Sequence, residues 1–132
     1  MTEPKRISSR ESLTPFMQVQ VHLLFDRMQK RGHDPMLFET LRVPERQDWL
    51  YGIGRTHHLT LNGKRRRPVT WTHHSEHFAV SEDDPHAEAF DVISRSCGWD
   101  DPVFFKALGQ EARKLGLYQI PQEQCHIQRR KP

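Results

Sequence analysis

A single small α+β domain is the fold class that this chain predicts, and three observations carry it. The length, 132 residues, suits one domain able to bury roughly two thirds of the surface its unfolded form exposes, with no room for a second. Three segments carry apolar residues at helical spacing behind capping and proline signals. Between and after them stand short β-branched or alternating runs of the kind that form strands.

Taken in order, residues 1–11 are polar, charged and without period, and predict a frayed lead-in. Thr14-Pro15 is an N-cap followed by proline at the first helical position, and Leu13, Met17, Val21, Leu24 and Met28 mark one face of a helix. Lys30 and Arg31 meet the negative end of the dipole, and Gly32 supplies a left-handed cap. Met36 to Leu41 predicts an extended run that delivers Arg42 to an edge of the structure. Pro44 opens a second helix through about Ile53, with Trp49, Leu50 and Ile53 as its buried face.

Gly54 to Pro68 reads as a loop around the turn signal Asn62-Gly63. Val69-Thr70-Trp71-Thr72 predicts a short strand leading into Ser75-x-His77, and the polar stretch Ala79 to His86 a loop. Ala87 to Ile93 predicts a core strand with the small residues Ala87 and Ala89 on the face of Asp91. Asp100-Asp101 caps a third helix with Pro102 in its first turn and Phe105, Leu108, Ala112 and Leu115 inward, ending at Lys114 and Gly116. Gln124 to Arg129 is the last strand, with His126 near its start.

Composition excludes several classes. No apolar run approaches the ~18 residues needed to span a bilayer, and Met-Thr-Glu-Pro-Lys-Arg lacks the apolar core of a signal peptide, so synthesis in the cytoplasm without an export signal is expected. Two cysteines, Cys97 and Cys125, allow at most one intramolecular disulfide and do not make a disulfide framework. Lys and Arg outnumber Asp and Glu, 20 against 17, with clusters at Lys64-Arg65-Arg66-Arg67 and Arg129-Arg130-Lys131. Such clusters suit anionic partners, but no aromatic residue interleaves them, and a solvated loop and tail is the simpler reading; no specific nucleic-acid partner is expected.

Two imidazoles and one carboxylate that converge make a three-ligand zinc site with an open fourth position. His77, Asp91 and His126 are the candidates, with Glu123 three residues before the last as a proton-handling carboxylate. Nine histidines make a chance association with an Asp unremarkable, and neither HExxH nor CxxC is present, so spacing alone does not single out a metal site.

The ordered set Ser75-x-His77, Ala89-Phe90-Asp91 and Glu123-x-x-His126 resembles the pattern of the zinc D-alanyl-D-alanine peptidases and L-alanyl-D-glutamate endopeptidases. Upstream, Arg42, Gln47, Leu50-Tyr51 and Gly54-Arg55-Thr56 are similar to a block of that family, above all in its VanY-like phage endolysins. The resemblance runs from about Leu13 to Gln128 and implies a zinc peptidase domain over 12–129, followed by a basic tail at 130–132. It implies helices packed on one face of a short antiparallel sheet beside a zinc cleft, the hedgehog/D-Ala-D-Ala peptidase-like architecture.

In its terms His77, Asp91 and His126 hold one zinc ion, Glu123 moves the proton, Arg42 and Gln47 hold substrate or developing charge, and Ser75 supports a ligand from behind. The implied substrate is the stem peptide of peptidoglycan, cut at L-Ala–D-Glu or, second, as a D,D-carboxypeptidase, by a monomer acting on the cell wall or periplasm after release. Relatives place His and Asp ligands closer together, with a glycine where Ala87 stands; here thirteen residues separate His77 from Asp91. His86 therefore competes with His77 as first ligand, and Cys125 stands beside the last. A module that keeps the fold but only binds murein or a partner protein is the alternative function.

Overall fold

Two helices with side-chain N-caps build the core. The computed structural model describes residues 2–70 and 74–132. Thr14 Oγ1 accepts the Met17 N–H at the start of α1 (Pro15–Lys30), and Asp101 Oδ1 accepts the Phe104 N–H at the start of α3 (Pro102–Lys114). The apolar stripe of α1, Met17, Val21, Leu24 and Met28, meets Phe104, Phe105, Leu108 and Ala112 of α3 in one cluster. Gly32 and Gly116 follow these helices at φ +86° and +78°, the left-handed conformation that ends a helix without a Cβ clash. Leu115 is only partly buried against the core.

These helices cover one face of a four-stranded antiparallel sheet in the order β1 (Pro35–Glu39), β4 (Ala89–Ser94), β6 (Glu123–Gln128), β5 (Tyr118–Ile120). The expected α+β fold is thus the observed one. All six residues of β4 are buried because it lies between two strands and under helices. Phe90 and Val92 join the core, which alternation requires to lie opposite Asp91. Ala87 joins it too, and so does not open room beside Asp91 as expected.

Several expectations are corrected. Residues 10–12 form a 3-10 turn, and the segment before them is tied down rather than frayed: the Thr40 N–H donates to the Ile7 carbonyl at 2.7 Å, Thr40 Oγ1 to the Ser9 carbonyl at 2.9 Å, and Arg46 to the Pro4 carbonyl at 2.8 Å. The stretch read as a loop contains a hairpin, β2 (Thr60–Leu61) and β3 (Lys64–Arg65), turned by Asn62 and Gly63 at φ 53° and 75°. Val69 and Thr70 form no strand; Trp71 and Thr72 lie outside the described residues. Strand β5 was not anticipated. In α2 (Pro44–Gly52) the buried residues are Arg46, Gln47, Trp49 and Gly52, with Leu50 only half-buried, because this helix faces a polar network. Arg42 reaches no edge; it is buried. In the C-terminal basic cluster Arg129 and Arg130 pair with Glu88, Arg130 at 2.8 Å.

Candidate metal centre

Strand register assembles the site. Glu39 pairs with Asp91 across β1 and β4, and Asp91 with His126 across β4 and β6, so three chemically active residues form a row over three strands. His126 stands fourth in its strand, not at its start. His77 enters from a turn in which the Ser75 hydroxyl accepts the His77 N–H at 3.0 Å, while the Arg42 N–H donates to the His77 carbonyl at 2.8 Å. The loop between His77 and Asp91 is closed at its base by the bridge Ala79↔Ala87 and by the Val80 N–H on the His86 carbonyl at 2.9 Å. The additional residues therefore leave the cluster undisturbed.

Hydrogen bonds fix both imidazole tautomers. His77 Nδ1 donates to the Thr40 carbonyl at 2.6 Å, so on the neutral ring Nε2, within hydrogen-bond reach of Asp91 Oδ1 at 3.0 Å, carries a lone pair. Gln128 donates its amide to the Arg130 carbonyl at 2.8 Å, so its Oε1 accepts His126 Nε2 at 2.8 Å. His126 Nδ1 is then bare as well: buried, 3.4 Å from Asp91 Oδ1, and without the alignment of a hydrogen bond. With both rings neutral, two lone pairs and a carboxylate oxygen face one another within 4.8 Å, an all-acceptor set. A cation satisfies all three at once. Among the described residues this is the group of His, Cys, Asp and Glu side chains that converges as a metal site requires.

Burial works against charge on Asp91, but the two imidazoles beside it, His77 before His126, hold its carboxyl well below the usual range. Burial likewise works against a charged His126, yet the Asp91 contact and charge, with Glu123 adding to them, raise its pKa above the ordinary value. The site therefore concentrates negative charge where a cation would sit.

The second oxygen of Asp91 meets Arg42 Nη2 at 3.4 Å. Four of the five donors of that guanidinium are engaged: besides Asp91, Nε and Nη2 grip Glu39 at 3.1 and 3.0 Å, and Nη1 donates to Gln47 Oε1 at 2.7 Å. Gln47 passes its amide to Thr70 Oγ1 at 3.2 Å. Glu39 also receives Arg46. The geometry thus gives Arg42 and Gln47 to Asp91 and to the wall behind it. Glu39, Thr40, Arg46 and Gln128 escaped the sequence reading; the one available signal was an acid and two arginines at 39, 42 and 46.

Glu123 lies with Oε2 3.7 Å from His126 Nδ1, its side chain 24% exposed. Residues three apart in a regular strand point to opposite faces, but the pairing slips from Gln119↔Ile127 to Ile120↔Glu123, and this irregularity turns Glu123 toward the cluster. Glu123 and Asp91 line a cleft of about 800 Å³ with Arg42, Arg46, Trp49, Thr70 and Cys125. His86 is absent from the cluster and pairs with Asp84 at 2.6 Å in the loop. Cys125 is not among the converging side chains; burial, then Asp91 and Glu123, push its thiol far above the ordinary pKa. His57 and His58 pack on Trp49 and His74 on Phe78, none of them in the converging group, and His73 lies outside the described residues.

No protein-family model and no curated protein matches this chain. Solved structures do. The LdcB LD-carboxypeptidase, whose structure reveals the molecular basis of peptidoglycan recognition, is 18% identical with a TM-score of 0.55, over 96% of this chain and 63% of that one. The L-Ala D-Glu endopeptidase ChiX of Serratia marcescens is 16% identical with a TM-score of 0.48, over 94% of this chain and 89% of that one. The chain has the fold of the LdcB peptidase, and it spans 63% of that chain's length.

Proposed function

We propose that this protein is a zinc-dependent murein peptidase that cleaves the L-Ala–D-Glu bond of the stem peptide. The observation that carries it is the convergence of His77, Asp91 and His126 ligand atoms within 4.8 Å, with His126 Nδ1 buried and without a hydrogen-bond partner, an arrangement that suits a metal ion. His77, Asp91 and His126 fit zinc: two nitrogens and an oxygen, each imidazole held from behind by an acceptor. When bound, zinc would supply a Lewis acid that acidifies water and polarises the scissile carbonyl.

The chain's own groups do the rest. Glu123 takes a proton from the attacking water and delivers it to the leaving amine, so that water adds across the C–N bond with no net proton change. Arg42 holds Asp91 by its second oxygen, and Thr40 and Gln128 hold the imidazoles, so the ligands need little reorganisation. Ser75 orients His77 through its backbone. The fold of a peptidoglycan-recognising carboxypeptidase supports the substrate class, and the similarity of Gly54-Arg55-Thr56 to the endolysins supports the bond.

The test is metal analysis of protein purified without added zinc, followed by release of amino termini from murein. Near one equivalent of zinc with new amino termini is expected. Metal-free protein that binds no zinc on titration would refute the reading; zinc-loaded protein that hydrolyses nothing would leave a murein-binding module.

A further inference from the structure

Trp99 is 55% exposed, and it lines the same cleft as Asp91 and Glu123. Its ring stands edge-on to Phe38, centroids 4.8 Å apart at 78°, and is stacked over Phe105 at 6.5 Å and 24°. Its backbone is equally fixed. Gly98, at φ +59°, donates to the Ser94 carbonyl at 2.7 Å, the Asp100 N–H donates to the Cys97 carbonyl at 3.2 Å, and Asp101 caps α3 just beyond. An aromatic face held this way needs no ordering when a ligand arrives.

The ring lines one cleft with the proposed chemistry. Gln119 Nε2 donates to the Phe105 carbonyl at 3.0 Å and to the Gln124 carbonyl at 2.7 Å, which ties the helix turn behind Trp99 to the strand that begins with Glu123. Gln122 and Gln124, both exposed, line the cleft on this side and add amide donors and acceptors. Aromatic face and amide rim together match a pyranose ring, whose C–H face stacks on π-electrons while its hydroxyl and acetamido groups hydrogen-bond outward. A lipid chain would need a continuous apolar wall, and the wall here is broken by Glu3, Arg46 and the two glutamines.

We propose that Trp99, with Gln122 and Gln124, forms a subsite for a sugar ring of an amino-sugar polymer, beside the part of the cleft that takes the peptide. The assignment rests on the murein reading for its natural ligand, the glycan strand to which a stem peptide is attached. It makes the cleft a reader of polymer-bound peptide over free peptide.

The test titrates the full chain with chitotetraose, a soluble β-linked N-acetylglucosamine tetramer without peptide, read by calorimetry. Trp99→Ala weakens binding by about tenfold, and Trp99→Phe, which keeps a smaller ring, by less. In parallel, the loss of kcat/KM caused by Trp99→Ala is about tenfold larger on intact murein than on a soluble stem peptide. No binding of the tetramer by wild type, or equal binding by wild type and both variants, overturns the subsite. An equal loss on murein and free peptide also overturns it and assigns Trp99 to the peptide. A wild type that sediments as a dimer while Trp99→Ala is monomeric overturns it in favour of a second copy on this face. If wild type hydrolyses neither substrate yet binds the tetramer through Trp99, the peptidase reading falls and the subsite stands.

Discussion

Replacing Glu39 by Gln tests the buried network on which the cluster leans. Its carboxylate, with 2% of the side chain exposed, accepts from both Arg42 and Arg46, whose side chains are 7% and 4% exposed. At about 4 Å and an effective dielectric near 20 each pair is worth about 4 kcal/mol of Coulomb attraction, so two pairs give about 8 kcal/mol before desolvation. Returning a buried carboxylate to water recovers several kcal/mol, but the two guanidiniums lose their counter-charge and face an amide that brings a donor where a second acceptor stood. The net loss expected is about 3–5 kcal/mol, a large part of the ~5–15 kcal/mol that holds a domain together. Urea unfolding with a chelator present measures it without contribution from metal. A second effect follows because Arg42 steadies Asp91: zinc affinity of the folded variant should fall about 10–100-fold in a competition titration. A loss below about 1 kcal/mol with unchanged zinc affinity would show that the network supports neither fold nor site.

Four further outcomes are expected. His126→Ala and His77→Ala lose zinc while His86→Ala keeps it, measured by metal content after gel filtration; zinc retained in either of the first two sinks the ligand set. Glu123→Gln keeps zinc but hydrolyses murein about 10²–10⁴-fold more slowly, and an unchanged rate would move the base elsewhere. Gln128→Leu removes the acceptor behind His126 Nε2 and weakens zinc about tenfold or more, while Gln128→Glu, which still accepts, retains it. Glu111 supplies a pH test. Burial would raise its carboxyl pKa, but hydrogen bonds from Arg31, Lys114 and Arg27 outweigh this and bring it from 4.5 to about 2. A depressed folded pKa means stability present above pH 4.5 and lost as pH falls toward 2, at most about 3 kcal/mol and nearer 1–2 kcal/mol because the cationic partners are 40–57% exposed. Unfolding curves of wild type and Glu111→Gln should differ at pH 6 and converge near pH 2; a constant difference would refute the assignment.

What was legible in the sequence was whatever repeats or caps. The helices at Pro15 and Pro102 announce themselves by Thr14, Asp101 and an apolar stripe, each a local cause. β5 has three residues, none fully buried, so no alternation exists to be read. The hairpin at 60–65 is exposed on both strands and left only its turn visible. Val69-Thr70 shows the opposite failure, for β-branched residues fit a strand only if an edge is available to pair with them. The candidate metal cluster and Ser75 beside it were legible through resemblance, and the remaining supports were not. Thr40 acts through its carbonyl, which every residue has, and Glu39 through pairing across a strand–helix junction that has no period.

The same distinction explains why thirteen residues between His77 and Asp91 do not unmake the site. A spacing motif assumes that the chain between two ligands sets their separation. Here the separation is set elsewhere: Asp91 and His126 by strand register, His77 by Ser75, by the Arg42 N–H and by the Thr40 carbonyl. The connection needs only to close, and closure entropy rises by about 0.6 kcal/mol for each doubling of loop length. The bridge at Ala79 and Ala87 brings the ends together, and the Ser81 and Asp84 backbones, bonded to each other in both directions, fold the excess outward where His86 pairs with Asp84. Length in this loop is thus nearly neutral for the cluster, whereas a one-residue slip of β4 against β6 would carry Asp91 to the core face and abolish it.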